Sequence, residues 1–67
     1  MRTALPPLHD KEVELVSITR VDLMWSDSWL VRLIIDGLPY LILKQKCRDE
    51  LGVLVWLAKL QHKQGAN

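Results

Sequence analysis

One cysteine, three glycines and no surplus of either charge sign leave this 67-residue chain short of several things that functions are commonly built from. A single thiol, Cys47, makes no internal disulfide framework, and no Cys/His cluster offers the ligands of a structural zinc site. Gly37, Gly52 and Gly65 are too scattered for a phosphate-cradling loop. Lysine plus arginine number 9 against 8 for aspartate plus glutamate, so bulk electrostatics does not drive binding to a polyanion. The longest apolar run, Val53–Ala58, falls far below the ~18–20 residues of a membrane span. Pro6, Pro7, His9 and Asp10 arrive before any apolar stretch that would make a signal peptide. These absences favour a single small cytoplasmic domain in which Cys47 stays reduced.

Catalytic groups are equally sparse. Ser17, Ser26 and Ser28 lack a nucleophile-elbow context. Cys47 and His62 are fifteen residues apart, ~22 Å along one helix, too far for a nucleophile–base pair. Cys47 reads as a small apolar residue at a helix start; a reactive thiol is the weaker reading. His9, Asp10, Glu12 and Glu14 form an acidic cluster without a calcium-loop pattern, which reads better as a solvated edge than as a metal site. The chain is therefore expected to be no enzyme, with no cofactor and no metal.

Hydrophobic residues make up 49% of the chain, which is high for its size. A domain of about 60 residues buries only ~60% of its unfolded surface, so small scaffolds usually need a staple. With disulfide and metal absent, a partner subunit is the natural third option.

Residues 1–10 read as an extended arm, because Pro6-Pro7 fixes two φ angles and keeps Leu5 out of the helical region. Residues 11–67 read as one β-β-β-α domain of the α+β class. Lys11 to Met24 is rich in β-branched residues and predicts strand one. Trp25 to Trp29 reads as a polar turn, and Leu30 to Ile35 as strand two. Asp36-Gly37 is the strongest local signal, because a type I′ hairpin turn needs positive φ at both central residues. Leu38 to Lys44 follows as strand three. A helix is predicted over roughly Arg48 to Gln64, with Asp49 and Glu50 at its start and Lys59, His62 and Lys63 near its end, as the macrodipole favours. Gly52 signals either close approach to the sheet or a later helix start, and Gly65 a terminator.

The Asp36-Gly37 turn predicts the pairs Ile35–Leu38, Leu33–Tyr40, Val31–Ile42 and Trp29–Lys44. For the first hairpin, a three-residue loop at Ser26–Ser28 predicts Trp25–Trp29, Leu23–Val31 and Val21–Leu33. That register keeps Arg20 and Asp22 off the core face and sets Asp22 beside Arg32. The core face is then Val21, Leu23, Trp25, Trp29, Val31, Leu33, Ile35, Leu38, Tyr40 and Ile42. The helix covers it with Cys47, Leu51, Val53, Leu54, Leu57, Ala58 and Leu60.

The other sheet face is predicted to carry Met24, Leu30, Arg32, Ile34, Pro39, Leu41 and Leu43, with Arg20 and Asp22 toward strand one. One helix covers one face, so this second apolar surface calls for a second copy, another protein or the arm. Met24, Leu30, Arg32, Ile34, Leu41 and Leu43 are the candidate protein interface. Charge suggests an alternative. The chain up to Asp36 carries net −2, and the remainder net +3. Lys44, Lys46, Arg48, Trp56, Lys59 and Lys63 form a candidate face for nucleic acid or a partner, with Trp56 available to stack a base. The bland reading is a solvated basic face with Trp56 packed on the helix flank. The expected function is a small protein-interaction or regulatory module, acting as a homodimer. A nucleic-acid-binding module is the alternative.

Overall fold

In a computed structural model, residues 1–23 and 26–62 are described. Three strands, β1 (Val13–Leu23), β2 (Ser26–Ile35) and β3 (Leu38–Gln45), form an antiparallel meander in the order β1-β2-β3. The helix α1 (Glu50–His62) follows. This is the β-β-β-α, α+β arrangement read from the residues.

The second hairpin forms as its turn chemistry dictates. Asp36 and Gly37 have φ of 51° and 80°, the left-handed pair of a type I′ turn. Ile35 pairs with Leu38, Leu33 with Tyr40, Val31 with Ile42 and Trp29 with Lys44.

The first hairpin departs from expectation. Ser26 to Ser28 belong to β2 rather than to a loop, and Leu23 pairs with Ser26. Met24 and Trp25, between the paired ends, lie outside the described residues. Ile18 therefore faces Val31, Arg20 faces Trp29, and Asp22 lies across from Asp27 rather than Arg32. A β-bulge between Leu15 and Ser17 then inserts Val16 as an extra residue, so Leu15 meets Leu33 and Val13 meets Ile35. Two effects defeat the simple register argument. The bulge reverses the in–out alternation partway along β1. Arg20 also tolerates the core side because it sits at the exposed end, where Asp27 Oδ1 accepts its Nη2 at 2.9 Å.

Trp29, Val31, Leu33, Ile35, Tyr40 and Ile42 point to one side and form the core with Leu8, Cys47, Val53 and Leu57. Val13 and Ile18 join them from β1, whereas Val21 falls on the opposite face. Leu38, expected in the core, is exposed at the turn end.

The helix starts two residues later than predicted because Asp49 caps it. Its Oδ1 accepts from the Gly52 N–H at 2.9 Å, satisfying one of the orphan donors of the first turn. The buried stripe is Val53, Trp56, Leu57 and Leu60, spaced i, i+3, i+4, i+7. Leu51, Leu54 and Ala58, expected inward, face solvent, with Leu51 66% exposed.

The arm belongs to the same side as the helix. Leu8 is buried and Leu5 half-buried against the core. Arg2 forms a short parallel bridge with Tyr40 on the outer edge of β3, through Arg2 N–H to the Pro39 carbonyl and Leu41 N–H to the Arg2 carbonyl. Asp36 fastens the arm's end to the turn: its Oδ1 accepts from Glu12 N–H, and its own N–H donates to the Glu12 carbonyl, both at 2.9 Å.

A Cβ added at Gly52 meets Asp49 Oδ1 at 3.5 Å and the Cys47 Sγ at 3.7 Å, ordinary contacts that rule out close approach to the sheet as its reason. Gly52→Ala is expected to stabilise the fold by about 0.5–1 kcal/mol. Asp49→Ala is expected to cost about 1 kcal/mol. Urea midpoints of the two variants check both signs.

Candidate functional site

The helix and the arm both lie on the Trp29 side of the sheet, so the reverse side is left open by the described residues. Alternation along β2 puts Leu30, Arg32 and Ile34 there, and pairing brings in Pro39, Leu41 and Leu43 from β3. From β1 come Glu14, Ser17, Thr19 and Val21. Leu30, Ile34 and Leu41 are half-buried, and Leu43 is 47% exposed. Five of the six candidate interface residues are thus brought together; Met24 lies outside the described residues. Arg20, expected on this face, is on the other.

Arg32 stands in the middle of the apolar group, across from Ser17 on one side and Leu41 on the other. It is exposed and makes no ion pair or hydrogen bond within the described residues. Glu14, across from Ile34, is the nearest charge on the same face and is equally unpaired among them. At the turn end of this region is an open depression of about 340 Å³ lined by Glu12, Val13, Glu14, Ile34 and Gly37.

The basic candidates are arranged differently. Lys44 leaves β3 on the core side and sets its ammonium 5.0 Å from the centroid of Trp56. Trp56 is half-buried in the helix stripe, so one ring face carries Lys44 and much of the remainder is packed. Lys46 and Arg48 are exposed in the β3–α1 connection, and Lys59 is exposed on α1; Lys63 lies outside the described residues. Lys46 has φ of 63°, a left-handed conformation that turns the chain from β3 toward the helix.

Sequence reasoning missed two features. The first is a polar knot holding β1, β2 and the β3–α1 connection together. The Trp29 indole Nε1–H donates to the Cys47 carbonyl at 2.8 Å in a buried bond. Arg20 lies over the Trp29 ring at 5.2 Å, ion-pairs with Asp27 and donates from Nη1 to the Arg48 carbonyl at 3.3 Å. The Cys47 N–H donates to the Asp27 carbonyl at 3.3 Å. Only Asp27 between two tryptophans hinted at it. The second is a solvent-facing apolar stripe of Leu51, Leu54 and Val55 on α1. The helix is apolar nearly all round, so periodicity did not single out its inner face.

Cys47 is buried and its carbonyl is used structurally, so the thiol acts as core. Among the described residues, no group of three His, Cys, Asp or Glu side chains is placed to hold a metal ion, and no helix is long and apolar enough to cross a membrane.

Trp29→Phe keeps an aromatic ring and removes the indole donor, leaving the Cys47 carbonyl unsatisfied. The expected loss is about 1–3 kcal/mol of stability, read as a lower urea midpoint. Compared with known proteins, the chain matches no family model, no curated protein and no solved structure, so the functional reading rests on geometry alone.

Proposed function

We propose that this protein is a small non-enzymatic interaction or regulatory module that works through the uncovered sheet face, as a homodimer. One observation carries the reading: both faces of the sheet are apolar, and the helix and arm cover only one.

The surface area agrees. The chain exposes 4926 Å², against about 4,400 Å² for a compact monomer of its mass. Its radius of gyration is 12.0 Å, against about 10.9 Å for a compact chain of this length. An uncovered layer is compatible with both values, to which the extended N-terminal arm also contributes. A standard interface takes about 800 Å² from each partner, and the reverse face of a three-stranded sheet is a surface of that order. Packing two such faces would give the core thickness of a sheet sandwich, ~10 Å.

The nucleic-acid alternative has less support. Lys44 occupies a face of Trp56, which weakens the case for base stacking, and the remaining cations are spread along a connection and a helix. Phosphate contacts would show as affinity that falls steeply with rising salt.

Leu41→Glu places a carboxylate in the middle of the face. The wild type is expected to scatter light as a dimer that persists in high salt. The variant is expected to scatter as a folded monomer, with unchanged far-ultraviolet circular dichroism, because the new carboxylate stands across from Arg32, and burying that charged pair in a dimer costs more than the apolar contact it replaces. A variant as dimeric and stable as wild type would remove this face from the interface.

A further inference from the structure

The apolar face carries two charges whose placement is self-complementary. Within the described strand residues it holds one cation, Arg32, and one anion, Glu14. Both are exposed and neither has a partner among the described residues. An arginine buried in the centre of an apolar interface needs acceptors, and a carboxylate is the best of them, so an occupant that brings a carboxylate to Arg32 is favoured. One that also brings a cation toward Glu14 fits better still. A second copy related by a two-fold axis does both at once, because an isologous contact returns every pair twice.

The depression gives the pair a seat. It is lined by Glu12, Glu14 and Ile34, with Gly37 at the turn and Val13, whose side chain packs toward the core, between the two acidic residues. An arginine suits such a lining well: the aliphatic stem lies on apolar wall and the planar guanidinium meets the carboxylate. Arg32 stands two residues along β2 from Ile34, one of the walls, on the same face. Sheet faces pack ~10 Å apart, a gap that an extended arginine side chain largely crosses.

We infer that the occupant is a second copy of this chain, and that Arg32 of each copy enters the depression of the other to pair with Glu14 there. This rests on the sheet-face reading above and adds to it the identity of the partner and the contact that sets its orientation. The leucines and Ile34 supply the apolar area, and the reciprocal pair selects one arrangement among the several that flat apolar faces allow.

The test exploits the two-fold. Homodimers of the Arg32→Glu variant would oppose the introduced carboxylate to Glu12 and Glu14, twice over. Glu14→Arg homodimers would oppose two cations, partly relieved by Glu12. Each variant alone is expected to dimerise at least roughly tenfold more weakly than wild type in sedimentation equilibrium. Mixed in equal amounts, they are expected to recover wild-type affinity, because the heterodimer restores one natural pair and creates one reversed pair.

Each alternative result has its own meaning. If both single variants keep the wild-type constant, or if the mixture stays as weak as its components, the pairing is overturned while a dimeric wild type leaves the sheet-face reading standing. If wild type is monomeric at all accessible concentrations, the homodimer reading and this inference fall together. If Leu51→Glu dissociates the dimer and Arg32→Glu does not, the interface lies on the outer stripe of α1, which overturns both. Should either reversal fail to fold, Arg32→Gln and Glu14→Gln in a double-mutant cycle read the same coupling. A coupling indistinguishable from zero overturns the pair.

Discussion

The buried hydrogen bond from the Trp29 indole to the Cys47 carbonyl decides where the helix can go. Strand β3 ends at Gln45, and only four residues separate it from α1. Within them Lys46 turns through a left-handed conformation, Cys47 is pinned to β2 by both its N–H and its carbonyl, and Asp49 caps the helix. The chain cannot leave β3 along the other face, because the two bonds at Cys47 draw it back over Trp29. Val53 and Leu57 then fall onto Val31, Leu33 and Ile35 as one cluster. Arg20 seals the outer side of this junction by covering the indole ring and holding Asp27. A few polar contacts thus assign the helix to one face, and the other is left open by the described residues.

That assignment leaves an apolar surface open among the described residues. The buried apolar core is small, and the arm must lend Leu8 to complete it. Among the described residues no second element is left over for the reverse face, and the whole fold measures only 16 Å along its shortest axis. Apolar residues persist on that face at alternate positions of β2 and β3, where a purely solvated sheet would carry polar ones. The residues that β1 contributes there are the contrast: Ser17 and Thr19 are polar, so the apolar area is centred on the β2–β3 half, with Arg32 at its middle.

Much of this was legible in the residues. The Asp36-Gly37 turn, the β2–β3 register and the order of elements follow from local chemistry and the period of two. Leu30, Ile34, Leu41 and Leu43 were placed together by that same register. The β1–β2 register was not legible, for a physical reason. The bulge at Val16 shifts alternation by one residue, so no single period describes Val13 to Leu23. Burial of charge also proved a poor guide at a strand end, since Arg20 found Asp27, an indole face and a carbonyl outside the packed centre. The helix face was misread because Leu51, Leu54 and Val55 weigh as much as Val53 and Leu57 on any hydropathy scale. Only the anchored connection decides between them. Arg32 was seen in the sequence, but its isolation, and the depression beside Glu14, arise only in the folded chain.

The bulge at Val16 has a consequence for how copies of the chain add up. A straight outer strand is an invitation to further strands, and each addition presents a fresh edge, so growth has no natural end. Here β1 is kinked at its outer edge, and part of the edge of β3 is taken by Arg2. Stickiness is thereby moved from the rims of the sheet to its flat side. In the proposed dimer, a flat side that meets its own image is used up in a single encounter, so association would close at two and crowding would yield pairs rather than fibres.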